Sequence, residues 1–99
     1  MDKKLVLQAK KHDKEAFVKL VENYQVSMYK TAIAILQNDE DAADAIQETI
    51  LICWEKIGSL RNAKFFKTWM TRILIHRCYA IYNENKRTVT ADNFPDFMD

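Results

Sequence analysis

The stretch Asn38–Gly58, NDEDAADAIQETILICWEKIG, has the features of one complete amphipathic helix. Asn38 or Asp39 can cap its first turn, and the acidic residues that follow suit the positive end of the helix dipole. Gly58 is the one glycine in the chain, and it stands where a left-handed residue commonly ends a helix. The stretch therefore predicts a helix that ends immediately before Gly58.

At about 100° per residue, the side chains of this helix separate into two faces. The apolar face, which predicts core packing, comprises Ala42, Ala43, Ile46, Ile50, Cys53, Trp54 and Ile57. The other face comprises Asp41, Asp44, Gln47, Glu48, Leu51 and Glu55. Most charged faces are only solvated. The alternative is a docking surface on which carboxylates select a basic partner and Leu51 is the apolar anchor.

Length and composition predict a single all-α domain. The chain has 99 residues, of which 48% are hydrophobic and 29% charged, and this balance is typical of a folded protein. One Gly and one Pro are too few for the turns of an all-β fold. We expect a compact bundle of three main helices preceded by a short N-terminal helix.

The remaining helices follow from periodicity and caps. A short basic helix is predicted from Lys3 to Lys11, and a long one, capped by Asp13, through Gln37. Ser59 or Asn62 can cap a last helix that runs from about Ala63 to Asn85. Trp54 and Trp69 both lie on apolar faces, so we expect both to be largely buried and to hold the last two helices together. After Arg87 the pattern stops, and residues 88–99 are predicted to be an acidic linker or tail.

Charge is distributed unevenly along the chain. Residues 38–58 carry six acidic and one basic side chain, a net charge of −5, whereas residues 61–87 carry seven basic and one acidic, a net charge of +6. An acidic helix followed by a basic one predicts two partners of opposite charge.

The outer face of the last helix mixes aromatic, hydroxyl and cationic side chains. It comprises Thr68, Thr71, Arg72, Ile75, Tyr79 and Tyr82, flanked by Lys67, His76 and Lys86. Rings interleaved with cations are typical of a platform for single-stranded nucleic acid, on which bases stack while cations follow the phosphates. The alternative is that Ile75, Tyr79 and Tyr82 pack against the first or second helix. The residues alone do not separate these interpretations.

No catalytic, metal or cofactor site is predicted. Cys53 and Cys78 lack CxxC spacing and are expected to be buried free thiols. His12 and His76 have no nucleophile or carboxylate at a meaningful spacing, so an enzyme is not expected. The chain contains no run of about 18 apolar residues and no signal peptide, which favours a cytoplasmic location.

The run DAADAIQETILICWEKI followed by FFKTWMTRILIHRCY resembles domain 2 of bacterial sigma-70 family transcription initiation factors, and most of all the extracytoplasmic-function (ECF) group. The resemblance extends from about Leu5 to Arg87. It implies the all-α fold of sigma-factor domain 2 over residues 1–87, with residues 88–99 as the linker or tail. It also implies docking on the β′ clamp helices of core RNA polymerase, and recognition and melting of the promoter −10 element as a single non-template strand. An anti-sigma factor is a further partner that the resemblance suggests.

The resemblance assigns the site residues position by position. The polymerase-binding residues that it implies are Asp41, Asp44, Gln47, Glu48 and Leu51. The loop Ser59–Lys64 matches the segment that holds a flipped base. Together with the outer face of the last helix, the implied DNA-binding residues are Ser59, Arg61, Asn62, Lys64, Phe65, Lys67, Arg72, Ile75, His76, Tyr79 and Tyr82.

The chain departs from the family pattern at a few positions. His76 stands where Asn is common, Ala80 where Asp is common, and Asn83-Glu84 where basic residues are usual, which bears on base choice and DNA affinity. Family members normally continue into a second, helix-turn-helix domain, and the sequence leaves open whether this protein does. The competing hypothesis is a small α-helical protein–protein interaction module that does not bind DNA.

Overall fold

The computed structural model describes the backbone of residues 2–93 and the side chains of residues 2–86. The described chain forms four α-helices: α1 (Asp2–Lys10), α2 (Lys14–Leu36), α3 (Asp39–Lys56) and α4 (Phe66–Asn93). Two 3₁₀ turns, Ile57–Ser59 and Ala63–Phe65, connect α3 to α4. The all-α bundle expected from the sequence is confirmed.

Side-chain caps begin α2 and α3 where the sequence predicts them. The Ala16 N–H donates to Asp13 Oδ1 at 3.2 Å, and the Asp41 N–H donates to Asn38 Oδ1 at 2.9 Å. Each bond satisfies one of the amide groups that the first turn of a helix leaves without a partner. Gln37 ends α2 in the left-handed conformation, and its N–H donates to the Ile33 carbonyl.

The end of α3 differs from the prediction. Gly58 is not left-handed; it lies in the 3₁₀ turn Ile57–Ser59, which tightens the helix instead of terminating it with a left-handed residue. The predicted cap Ser59 donates its hydroxyl back to the Lys56 carbonyl at 2.7 Å, so it closes α3 and does not open α4. Asn62 is the residue that caps forward, because its Oδ1 accepts from the Lys64 N–H at 3.0 Å.

Helix α4 is longer than its apolar pattern indicates. Its backbone stays helical to Asn93, whereas the sequence predicts an end near Asn85 and a linker from Thr88. No Gly or Pro precedes Pro95 in this segment, so nothing breaks the helix once the apolar period stops. The last helix therefore ends later than the sequence predicts. The assignment of residues 88–99 as an acidic linker or tail stays a prediction, and residues 94–99 lie outside the described residues.

Small side chains bring α3 against the core. Its fully buried residues are Ala42, Ala45, Thr49 and Cys53. This stripe is rotated from the predicted one: Ala43 is exposed, and Ile46 and Ile50 are only partly buried at its edge. Because alanines allow close backbone approach, the larger isoleucines are displaced to the boundary. The bulk of the core comes from the other elements, through Val6, Leu20, Met28, Ile57, Phe66, Met70 and Leu74.

The two tryptophans are less buried than predicted. Both are partly exposed. The Trp54 ring lies 5.0 Å from the Phe17 ring and 5.5 Å from the His12 ring, centroid to centroid. Through these ring contacts Trp54 joins α3 to α2 and to the turn after α1. Trp69 contacts Phe66 one turn earlier on its own helix.

Cys53 and Cys78 are free and buried, as predicted. Burial raises the pKa of the Cys53 thiol to about 12 and also raises the pKa of Cys78. Both thiols are therefore protonated, unreactive core groups at neutral pH. Within residues 2–93, none of the helices has the length and apolarity needed to cross a membrane.

Candidate functional site

The outward surface of α3 carries a strip of exposed residues three and four positions apart. The strip comprises Asp44, Gln47, Leu51 and Glu55. Leu51 is an apolar residue among acidic ones, and it is 60% exposed. Three of the five residues predicted to bind polymerase, Asp44, Gln47 and Leu51, thus share one solvent-facing strip, which we call the acidic strip.

The other two predicted residues, Asp41 and Glu48, lie at the boundary with α4. Arg77 Nε and Nη2 both lie 2.8 Å from Glu48 Oε1. Asn85 Nδ2 donates to Asp41 Oδ2 at 2.8 Å. These two contacts run in opposite directions along the two helices, so α3 and α4 pack antiparallel.

The pairing changes the electrostatics of the surface. Arg77 compensates the charge of Glu48. The partner of Asp41, Asn85, is neutral and does not compensate a carboxylate charge. The Arg77 and Glu48 side chains are 38% and 45% exposed, and such a solvated pair adds little stability. Its main effect is to hold one carboxylate in a fixed direction.

A groove between α2 and α3 adjoins the acidic strip. It has a volume of about 610 Å³ and is lined by Glu22, Gln25, Val26, Tyr29, Asp39, Ala43, Ile46, Gln47 and Ile50. Val26 is 68% exposed. The Tyr29 hydroxyl donates to Asp39 Oδ1 at 2.7 Å, and this bond raises the pKa of Tyr29. Gln47 belongs to both surfaces, so the groove and the strip are continuous.

Sequence reasoning missed this groove. It gave Val26 no role. The available signal was that Val26 falls outside the apolar period of α2, since an apolar residue off the core face is a candidate contact residue.

The loop between α3 and α4 exposes five of the eleven residues predicted to bind DNA. Ser59, Arg61, Asn62 and Lys64 are exposed, while Leu60 and Ala63 are buried and anchor the loop. The adjacent phenylalanines point in different directions: Phe65 is 54% exposed, whereas Phe66 is buried in the core. Phe65 is therefore available as a surface ring.

A pocket of about 530 Å³ opens beside this loop. Its lining residues are Asp2, Lys3, Tyr24, Asn62, Ala63, Lys64, Phe66 and Lys67. Three lysines outnumber the one carboxylate, and that carboxylate accepts hydrogen bonds from the Tyr24 hydroxyl and from Asn23 Nδ2. Desolvation, with the hydrogen bond to Asp2, raises the pKa of Tyr24 to about 12, so its phenol stays protonated. The pocket is therefore basic, with a neutral aromatic wall.

The predicted flipped-base site did not include Asp2, Lys3 or Tyr24. These residues come from α1 and α2, and helix periodicity carries no information about which distant segment lies against a loop. The packing of α1 and α2 beside the loop brings them together.

The outer face of α4 is mostly exposed between Lys67 and Tyr82. Lys67, Thr68, Arg72, His76, Tyr79 and Tyr82 are exposed, and Ile75 is partly buried. Tyr79 is 52% exposed, so packing against α1 or α2 does not account for its ring. Ala80 is exposed as well. In the described part of the chain, no cluster of three or more His, Cys, Asp or Glu side chains could hold a metal ion.

Comparison with known proteins agrees with this architecture. The profile of the Sigma-70 region 2 family matches residues 20–88. The chain belongs to the Sigma-70 region 2 family. This membership confirms the resemblance noted from the sequence.

Similar proteins include the ECF RNA polymerase sigma factor SigW of Bacillus subtilis, 34% identical over 73 residues, which are 74% of this chain and 39% of SigW. The RNA polymerase sigma factor SigV of Bacillus subtilis is 23% identical over 87 residues, 88% of this chain and 52% of SigV. The RNA polymerase sigma-H factor of Pseudomonas aeruginosa is 31% identical over 75 residues, 76% of this chain and 39% of that protein. The chain spans about half, or less, of the length of these relatives.

Proposed function

We propose that this domain docks on the clamp helices of core RNA polymerase through α3 and recognises and melts promoter −10 DNA through the α3–α4 loop and α4. The observation that carries the proposal is the exposure of Leu51, Phe65 and Tyr79, three large apolar side chains set among charged groups. Solvated helix faces have no need of such residues, whereas binding surfaces use them as anchors.

The acidic strip and the adjoining groove form the proposed polymerase surface. Leu51 supplies the apolar anchor, and Asp44 and Gln47 supply polar contacts beside it. Arg77 Nε and Nη2 both contact Oε1 of Glu48, and among the described residues no such contact uses Oε2, which would be the atom that accepts from a partner. Glu48 would then act as an oriented acceptor more than as a free anion. Asp41 would add a charge at the edge of the strip.

The loop, the basic pocket and the outer face of α4 form the proposed DNA surface. Extruding a base costs a few kcal/mol of stacking, and a pocket lined by Lys3, Lys64 and Lys67 would offset this cost by binding the flanking phosphates. Phe65, Tyr79 and Tyr82 offer rings on which further bases can stack. Ser59, Arg61, Asn62, Arg72, Ile75 and His76 complete the proposed contact surface.

The competing proposal is a protein–protein module without DNA binding, and the apolar groove between α2 and α3 is the feature that favours it. An anti-sigma factor is a further proposed partner, for which the same groove and strip are the candidate surface. The protein-only module does not need the exposed rings of α4, so DNA binding separates it from the leading proposal, whereas an anti-sigma factor is compatible with both.

The test is an equilibrium titration of labelled single-stranded and duplex −10 oligonucleotides at two salt concentrations, with and without core polymerase. We expect weak binding by the isolated chain, a preference for the single strand, and tighter binding when polymerase is present. Equal affinity for single-stranded and duplex DNA, unchanged by polymerase, would favour the protein-only module.

A further inference from the structure

The loop between α3 and α4 is shaped by short-range hydrogen bonds. The Leu60 N–H donates to the Ile57 carbonyl at 3.1 Å, and the Phe65 N–H donates to the Asn62 carbonyl at 3.0 Å. Each of these bonds spans three residues. Such turns define the local conformation of the loop but do not fix its position relative to the rest of the domain.

Helix α1 supplies the long-range contact. Lys10 Nζ donates to the Leu60 carbonyl at 2.6 Å across a separation of 50 residues. Among the described residues, this is the hydrogen bond that ties the loop to a distant segment. Because the donor is charged and the bond is short, it belongs to the stronger class of protein hydrogen bonds.

Lys10 differs from the other lysines of this region in its burial. Lys3, Lys4 and Lys11 are exposed, whereas Lys10 is partly buried. Removing an ammonium from water is unfavourable unless an acceptor replaces the water, and the Leu60 carbonyl is that acceptor. The fully buried Val6 and Ala9 hold α1 in place, so the Lys10 side chain projects from a fixed base.

We infer that Lys10 is a positioning residue for the α3–α4 loop, and that α1 thereby belongs to the DNA-reading part of the molecule. The DNA half of this inference rests on the proposed function. Holding the Leu60 carbonyl orients the next residues, Arg61 and Asn62, and the pocket wall at Ala63. Helix α1 lies outside residues 20–88, which match the family profile, so that match does not assign it this role.

The first test measures the loop without DNA. Amide hydrogen exchange of residues 60–65 is compared in the full chain for wild type, Lys10→Met and Lys10→Arg, with Lys11→Met as the matched control. Loss of a hydrogen bond to a charged group should speed loop exchange about 10-fold in Lys10→Met. Lys10→Arg should restore much of the protection, and Lys11→Met should leave it unchanged.

A core amide in α4, that of Leu74, serves as the internal reference. Unchanged loop exchange in Lys10→Met would overturn the inference. So would an equal acceleration of the loop and of Leu74, since that result would mean a general loss of stability and not a change of loop position.

The second test uses DNA. The same variants are titrated with a single-stranded oligonucleotide selected from a random pool for binding to the wild-type chain, and with versions that lack one base at each position in turn. Lys10→Met should lose about 10-fold in affinity for the intact strand and much less for the version that lacks the flipped base. If loop exchange quickens but affinity for the intact strand is unchanged, the positioning role of Lys10 is supported and the proposed DNA role of the loop is contradicted.

Discussion

At the scale of single residues, Leu51 decides the docking proposal. Truncation of an interface anchor typically costs about 2 kcal/mol or more of binding free energy. Leu51→Ala should therefore weaken binding to core polymerase while leaving the unfolding transition nearly unchanged, because the side chain is already exposed. Leu7→Ala, which truncates an exposed leucine of α1, is the matched control. Equal binding by both variants in a quantitative pull-down would remove Leu51 from the interface.

Asp44 and Glu48 should respond differently to charge reversal. Asp44→Lys should weaken polymerase binding with little change in stability, because no described residue pairs with Asp44. Glu48→Lys should weaken binding and also lower the free energy of unfolding by up to about 1 kcal/mol, since it places a cation against Arg77. Chemical denaturation of both variants checks this. Equal stability of the two would show that the Arg77 contact has no energetic consequence.

Tyr79 and Arg72 test two different parts of DNA binding. Tyr79→Ala should reduce the free energy of single-strand binding by about 1–3 kcal/mol because stacking is lost. Tyr79→Phe should change it little because the ring is kept. Arg72→Ala should reduce the slope of the logarithm of affinity against the logarithm of salt concentration, by about 0.7 if one phosphate contact is lost. Titration at several salt concentrations separates the two effects. A loss in Tyr79→Phe equal to that in Tyr79→Ala would assign the role to the hydroxyl and not to stacking.

At the scale of the helices, burial and not ring size should set the cost of truncation. Phe66 is fully buried, so Phe66→Ala should lower the free energy of unfolding by about 3–5 kcal/mol. Trp69 is larger but partly exposed, so Trp69→Ala should lower the free energy of unfolding by less than Phe66→Ala does. Denaturant unfolding monitored by circular dichroism measures both. A larger loss of stability in Trp69→Ala than in Phe66→Ala would support the expectation from the sequence that Trp69 is largely buried and helps to hold the last two helices together.

The helices themselves were predictable because their signals are local. Asp13 and Asn38 cap the turns that follow them, and apolar spacing identifies the buried side of each helix. The same reasoning predicted the wrong conformation for Gly58. One glycine after a helix is compatible with both a 3₁₀ turn and a left-handed cap, so the sequence does not distinguish them. Sequence reasoning also placed Ala43 on the core face, because a helical wheel gives the angle of a residue but not which part of that face meets a neighbour.

Contacts between distant elements were less predictable. Nothing in the spacing of α3 indicates that Glu48 would meet Arg77, or that Lys10 would reach Leu60. The groove at Val26 and the pocket at Tyr24 depend on how α2 lies against α3 and the loop. Sequence reasoning therefore proposed an interaction surface on α3 and on α4 but missed the residues that other helices add to each.

At the scale of the whole molecule, stability should fall in alkaline solution. The folded state raises the pKa of Cys53 from 9.0 and of Tyr24 from 10.0, in each case to about 12. Below pH 9 both groups are protonated in the folded and unfolded states, and their contribution is fully present. As pH rises toward 12, the unfolded state releases these protons first, so the free energy of unfolding decreases.

Denaturant titrations between pH 8 and about 11.5 measure this decrease. Tyr24→Phe should flatten the part of the curve above pH 10, since its phenol can no longer ionise, and the Cys53 part should persist. A stability that is constant across this range would mean that neither group holds its proton through burial.

The whole domain carries two surfaces of opposite charge. Its acidic helix carries a net charge of −5 over residues 38–58 and its basic segment a net charge of +6 over residues 61–87, although the complete chain is nearly neutral. The antiparallel packing of α3 on α4 joins these surfaces in one small body. The central proposal is that polymerase binds the first surface while single-stranded DNA binds the second.

The most direct test of that proposal is site-specific photo-cross-linking in a complex of the chain, core polymerase and promoter DNA. A photoreactive phenylalanine analogue replaces Tyr79 in one protein and Leu51 in another. We predict that position 79 cross-links to the non-template strand of the −10 region and position 51 to the polymerase. Cross-linking of position 79 to protein alone, with no DNA adduct while position 51 still reaches polymerase, would contradict the account and leave a protein-binding module.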